Sequence, residues 1–299
     1  MFNKLLLKII GRLENTPLAN VIDYRTWTKE RPINQLLKET KRYKSAAAGK
    51  PLTPNEEQLL SFKNKHKGER VFIIGNGPSL NKLDLTLLKD EYTFGVNGIF
   101  LNKEKMGFDP TYYVVEDVFV AEDRADKINT YQGPQAQFFG NYLDYCIKDK
   151  PDNTWLNVKV DYRDYDNFPH FSTNAARYVW VGGSVTYICL QLAYYMGFSE
   201  VFMIGFDHNY VIPDDALITN KRDSGFDITS QSDDVNHFHP DYFGKGFRWH
   251  EPRVERMERG FARARQYFEK DGRKVFNATA GGHLHVFPRV DYNGIFEKK

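Results

Sequence analysis

The chain predicts an α/β fold, a single open and mostly parallel sheet with a helical N-terminal extension and a lid-like insertion. Three observations carry that expectation. First, short apolar runs end abruptly in small or polar residues: Val71–Ile74 before Gly75, Tyr92–Val96 before Asn97, Tyr112–Val115 before Glu116, and Val201–Ile204 before Gly205. Runs of this kind suit strands buried on both faces, whose sites form at their carboxyl ends. Second, a helix-length apolar run, Val185–Met196, stands directly before the last of these strands. Strand–helix alternation of this sort builds right-handed crossovers. Third, 299 residues with 41% hydrophobic and 27% charged side chains are enough to bury a sizeable core.

The elements follow in order. Residues 1–66 read as a basic, mainly helical extension: the first 50 residues hold eleven Lys/Arg against four Asp/Glu. Lys4, Lys8 and Arg12 repeat at four-residue spacing beside Phe2, Leu5, Leu6, Ile9 and Ile10. That amphipathic face suits an anionic membrane surface, and equally suits packing on the body of the protein or on a sister subunit. Pro54 to Lys65 has helical periodicity around Leu59, Leu60 and Phe62. Residues 67–299 then form the α/β domain. Residues 121–170 are less periodic, and 208–250 are a long polar excursion that reads as a lid or substrate loop. Glu251 to Lys270 is a charged helix, and Lys274–Thr279 is the last strand.

Bulk chemistry excludes several classes. With a formal charge of +2 and the basic residues gathered at one end, the main domain is not that of a nucleic-acid binder. Cys146 and Cys189 stand in no metal or redox spacing and read as free thiols of a reducing compartment. No apolar run reaches the ~20 residues needed to span a bilayer. A cytoplasmic protein, peripheral at the inner membrane face if the first twelve residues bind lipid, is the expectation.

The most specific motif is Ile74-Gly75-Asn76-Gly77-Pro78-Ser79-Leu80, a strand running into a glycine turn. Its glycines permit a close turn with positive φ and uncovered N–H groups, and Ser79 is placed to cap the next helix, a geometry suited to phosphate. An ordinary strand-to-helix turn is the competing reading. Asn97, Glu116, Asp117, Asp207 and His208 follow other strands and would share the same sheet edge. Gly183 and Ser184 open the apolar helix. His208, His237, His239 and His250 crowd the segment between the last two strands, and His283 and His285 follow the final one. Histidine is the natural neutral-pH base. His237-Phe238-His239 would put both imidazoles on one side if extended, yet the cluster makes no complete metal signature.

These motifs, with Val96-Asn97, Gly183-Ser184 through Phe198 and Val201 through Asp207, resemble bacterial CMP-sialic-acid-dependent sialyltransferases. They are equally similar to the wider family of archaeal 6-hydroxymethylpterin diphosphokinases and motility-accessory flagellin glycosyltransferases. The resemblance covers roughly residues 70–280. It implies a Rossmann-like nucleotide-binding domain with a lid, in which Gly75, Asn76, Gly77, Pro78, Ser79, Asn97, Gly183 and Ser184 contact a CMP-sugar donor. It implies a general base at His250, with His237 or His239 as alternatives, and leaving-phosphate contacts near Asp207 and Tyr210. No tightly bound cofactor and no metal ligands are implied for transfer of a sialic-acid-like or other 3-deoxy-ulosonate sugar to a glycan or lipid-linked acceptor. The alternatives are pyrophosphoryl transfer from Mg-ATP to a hydroxymethylpterin, and a non-catalytic partner in surface-polymer assembly.

Overall fold

A computed structural model describes residues 33–160, 169–222 and 225–297. The amphipathic segment 1–12 and residues 161–168 of the less periodic stretch therefore lie outside the described residues.

Seven parallel strands form the central sheet. In chain order they are β1 (Arg70–Ile74), β2 (Tyr92–Val96), β3 (Tyr112–Val115), β4 (Ala136–Gly140), β5 (Asn153–Leu156), β8 (Glu200–Ile204) and β12 (Lys274–Asn277). Their spatial order is β12-β8-β1-β2-β3-β4-β5, and every neighbouring pair is parallel. The chain steps outward from β1 through β5, then returns to the other side of β1 with β8 and β12. The crevice beside β1 is thus the switch point where an open α/β sheet takes its ligand.

Burial explains why these runs are strands. Val71, Phe72, Ile73 and Ile74 are fully buried, as are Tyr112, Tyr113, Val114 and Val115. Phe72 stacks on Phe202 of β8 and on Phe296 near the C-terminus, at 5.2 and 5.7 Å between centroids. Complete burial of one such ring stabilises the fold by about 1.5–3 kcal/mol.

The helix Val185–Met196 covers one face and crosses back to β8. Ser184 is its N-cap, accepting from the Thr186 N–H, and Gly197 closes it at φ +91°. It shares the core with the sheet and with the charged helix Val254–Lys270, whose Phe261, Ala264 and Phe268 are buried. The two N-terminal helices, Ile33–Ala47 and Pro54–Ser61, contribute Tyr43, Ala46, Leu59 and Phe62 to the same core. Tyr43 donates to the Trp155 carbonyl of β5, and the Asn64 and His66 N–H groups donate to Tyr195 and Met196.

Two departures from the sequence reading matter. Residues 121–170 contain β4 and β5, which polar residues inside the strands disguise. The excursion 208–250 is not structureless: β9 (Leu217–Arg222), β10 (Gly225–Thr229) and β11 (Arg248–His250) make a separate antiparallel sheet in the order β11-β10-β9. His250 is accordingly the last residue of a strand. A further parallel pair joins β6 (Val158–Lys159) to β7 (Val179–Trp180). Cys146 and Cys189 are free thiols, the latter fully buried. Among the described residues no helix is long and apolar enough to cross a membrane.

Candidate functional site

The glycine turn after β1 is held by close approach. Neither Gly75 nor Gly77 has positive φ. A Cβ on Gly75 would lie 2.5 Å from the Gly205 carbonyl oxygen, and one on Gly77 would collide with the Asp207 carboxylate. The turn and the end of β8 therefore lie flush, which only glycine allows. The N–H groups expected to be uncovered are engaged: Gly75 donates to the Ile204 carbonyl at 2.8 Å, Gly77 to that of Gly205 at 2.9 Å, and Leu80 to that of Gly77. Ser79 is not a helix cap. The five-residue 3-10 turn Pro78–Lys82 starts from Gly77, and Ser79 donates its N–H (3.2 Å) and hydroxyl (2.6 Å) to Asp207. An internal carboxylate thus fills the place the sequence suggests for a phosphate.

Just beyond the turn, the strand ends open onto a cavity of about 180 Å³. Asn76, Asn97, Glu116, Asp117 and Asp207 line it from the ends of β1, β2, β3 and β8, with Gly183–Thr186 from the start of the buried helix. Asn97 is at φ +50° and His208 at φ +56°. Non-glycine residues in the left-handed region are uncommon, and a fold that maintains two of them around one cavity stores strain at its site. Asn76 Oδ1, Asn97 Oδ1 and His208 Nε2 are buried there without a hydrogen-bond partner among the described residues. Burial lowers the readiness of His208 to protonate, and its nearest carboxylate oxygen, on Glu258, is 3.6 Å away.

Glu116 is the cavity carboxyl most affected by burial. Burial, reinforced by the adjacent Asp117, raises its carboxyl to about 8, so it holds its proton at neutral pH. Its backbone and side chain both accept from the Tyr142 hydroxyl. Asp117 caps the helix Val118–Asp123 by accepting from the Val120 N–H.

The 208–250 segment supplies the remaining wall and two oriented imidazoles. Cross-strand register pairs His250 with Asp227, and His250 Nδ1 lies 3.0 Å from Asp227 Oδ1. The ring stacks on Phe119 with centroids 4.3 Å apart, and Nε2 is 3.6 Å from Asp117. His237 Nδ1 lies 2.6 Å from Asp234, whose carboxyl is held below its ordinary value by that imidazole and by the N–H groups of Asn236 and Phe243. His237 stacks on Tyr242 at 4.0 Å. A carboxylate on one ring nitrogen fixes the tautomer and leaves the other nitrogen for chemistry. The segment is fastened to the sheet by Phe238 N–H to the Asn76 carbonyl, by Asn81 to the Phe238 carbonyl, and by Arg124 to the Asp241 and Tyr242 carbonyls.

Of the residues singled out in the sequence, Gly75, Asn76, Gly77, Asn97, Gly183, Ser184, Asp207, Tyr210, His237 and His250 all line this cavity. Pro78, Ser79 and His239 do not. His237 and His239 do not share a face, because 237–243 folds into a turn closed by the Tyr242 N–H on the His239 carbonyl; His239 is instead an exposed acceptor for the Asp241 N–H. Asp227 and Tyr242 were missed; Asp234, three residues before His237, orients that imidazole instead of joining the histidines around a metal. Arg248 pairs with Glu122 and Asp123, Arg253 with Glu251 and Arg259 with Glu255, so these arginines are engaged in ion pairs. Among the described residues no group of three or more His, Cys, Asp or Glu is arranged to hold a metal ion.

A second cavity, of about 320 Å³, adjoins the first and shares Glu116, Asp117, Gly183, His250 and Glu251 with it. Val118, Val160, Val181, Arg253 and Arg256 complete much of its wall.

With this geometry in hand, residues 50–212, more than half of the chain, match the family described as 6-hydroxymethylpterin diphosphokinase MptE-like. Among solved structures, the chain is similar to that titled "Structure of MAf glycosyltransferase from Magnetospirillum magneticum AMB-1", with 12% identity and a TM-score of 0.43. The alignment covers 87% of this chain and 41% of that one, so the present chain spans about two-fifths of its length. A comparison with curated proteins gave no match.

Proposed function

The chain belongs to the 6-hydroxymethylpterin diphosphokinase MptE-like family, and from that premise we propose that it is a nucleotide-dependent transferase acting on an acceptor hydroxyl. One observation carries the proposal: His250, oriented by Asp227, stands where two cavities meet, one lined by the strand ends of the switch point and one opening beside it. The nucleotide donor occupies the first cavity and the acceptor enters the second.

In this reading His250 Nε2 takes the proton of the acceptor hydroxyl. The acceptor oxygen bonds to the transferred group as the bond to the donor's phosphate oxygen breaks, and the electron pair leaves with the nucleotide. Asp227 holds Nδ1–H and stabilises the imidazolium. General-base assistance of this kind contributes about 10²–10⁴-fold, and holding both substrates in contact contributes further by removing their independent motion. The N-terminus of the Val185–Met196 helix favours the departing anion.

The family match supports pyrophosphoryl transfer from ATP to a hydroxymethylpterin-like alcohol as the identity of the reaction. A magnesium ion carried by a triphosphate draws most of its ligands from phosphate and water. Among the described residues no group of three or more His, Cys, Asp or Glu forms a cage for it, and Asp207 is engaged by Ser79. The second reading, transfer of a sialic-acid-like or other 3-deoxy-ulosonate sugar from a CMP donor, is favoured by the position of the base. His250 and Asp227 lie outside residues 50–212.

Thermal melting with CMP, CDP, CTP, UDP and ATP, each with and without Mg²⁺, tests the proposal. Stabilisation through linkage by Mg-ATP supports diphosphokinase-like transfer, and metal-independent stabilisation by CMP supports sugar transfer. Indifference to every nucleotide would sink both.

A further inference from the structure

We infer that the ends of β1 and β2 receive hydrogen-bond donors, the ribose hydroxyls of the nucleotide, and that its phosphates do not enter the glycine turn. The inference deepens the proposed function and rests on its reading of the first cavity as a nucleotide site.

The register of β1 on β2 ends with Ile74 beside Gly95. Asn76 and Asn97 each follow two residues beyond that pair, and both line the cavity at the rim. The Asn76 side chain has one permitted orientation. Its Nδ2 donates to the Val96 carbonyl at 3.2 Å and to the Tyr242 hydroxyl at 2.9 Å. Turning the amide over would set its oxygen against a carbonyl that can only accept. Oδ1 is therefore the free atom, in a residue 8% exposed, and it has no partner among the described residues. Asn97 Oδ1 is likewise buried without a partner among the described residues, in a half-buried side chain on a backbone at φ +50° that asparagine tolerates better than most residues.

Two buried amide oxygens without partners call for O–H or N–H groups from whatever fills the cavity. Phosphate oxygens, ionised at neutral pH, are acceptors and would be repelled. The turn offers phosphate no compensation, because Gly75, Gly77, Ser79 and Leu80 donate their N–H groups within the protein and the Asp207 carboxylate already lies against it. A ribose presents two vicinal hydroxyls on one edge, enough to reach two acceptors on adjacent strands. The phosphates are then left to Gly183–Thr186 at the helix N-terminus and to His237, which lines the same cavity with its Nδ1 held by Asp234.

Calorimetric titration of the full chain with CMP and ATP, each against its 2′,3′-dideoxy form, tests the inference. Loss of both hydroxyls leaves two buried acceptors unpaired and is expected to weaken binding by about ten- to a hundredfold. Asn97→Asp keeps an acceptor oxygen and retains the preference for the ribose form. Asn97→Gly keeps the backbone at positive φ but removes that acceptor, and loses part of the preference. Equal binding of ribose and dideoxy forms by the unaltered protein would overturn the inference while leaving the nucleotide reading intact. So would an Asn97→Asp protein that weakens all nucleotides alike through charge. Failure of CMP and ATP alike to bind would remove the nucleotide reading itself, and this inference with it.

Discussion

The rim of the parallel sheet and the antiparallel unit of residues 217–250 face the same cavity but are made in opposite ways. At the rim, position comes from the backbone: glycines let β1 and β8 approach, the ends of β1 and β2 bring Asn76 and Asn97 to one cavity, and the flanking residues belong to the buried core. In the antiparallel unit, position comes from pairs of side chains. Asp227 orients His250 and Asp234 orients His237, while Leu217 and Ile218 remain exposed. In the proposed reading, groups for binding the nucleotide's ribose are built into the part that holds the fold together, and the proposed base into a part that contributes less to it. Damage to one region should therefore register in stability and affinity, and damage to the other in turnover.

The sharpest separation is expected at His250. Replacing it with alanine should lower the rate of transfer by about 10²–10⁴-fold, while nucleotide affinity and melting temperature stay close to those of the parent, since the ring is 44% exposed. A variant with full turnover would dissolve the distinction. On the other side, Gly75→Ala drives a methyl group against the Gly205 carbonyl. Overpacking of this kind should cost about 1–3 kcal/mol in denaturant unfolding, and an unchanged midpoint would mean that the turn and β8 are not tightly apposed.

Glu116 sharpens the comparison through pH. Its carboxyl is raised from 4.5 to about 8 in the folded protein, by burial first and then by Asp117. Below the lower value both states are protonated. Between the two, the folded state keeps a proton that the unfolded chain releases, so stability falls as pH rises and the loss is complete above the folded value. Glu116→Gln should therefore gain stability relative to the parent as pH rises through that window. Parallel melting curves for the two proteins would show that Glu116 is ionised in the fold. The smallest effect is expected from His239→Ala, whose ring is exposed and outside the cavity: stability should remain within about 0.5 kcal/mol, with transfer unchanged.

How much of this was legible in the sequence follows from the same contrast. Runs buried on both faces announce themselves, and β1, β2, β3, β8, β12 and the Val185–Met196 helix lie within a few residues of their expected positions. β4 and β5 were hidden because buried polar residues interrupt them: Gln137 bonds Asp152 and the Tyr131 carbonyl, and Asn153 bonds the Lys148 carbonyl. Such partners exist only after folding. The antiparallel unit was hidden because one face of its strands is exposed and its lengths are short. The site shows the same division. The residues ending the strands could be named because parallel topology gathers them, whereas Asp227 reaches His250 from a strand 23 residues away, a pairing that no local spacing encodes. Gly75, Asn76 and Gly77 of the glycine motif line the cavity, but the N–H groups of its turn serve the fold and Asp207 stands where the sequence suggests an external anion.

The position of a bound nucleotide bears most directly on the central claim, and a crystal structure grown with whichever nucleotide raises the melting temperature would show it. The expected density places the ribose against Asn76 and Asn97 and the phosphates toward Gly183–Thr186, within reach of His237 and His250. Density in the separate cavity between Arg42, Asn55 and Trp155, with the switch-point cavity holding solvent alone, would contradict the account.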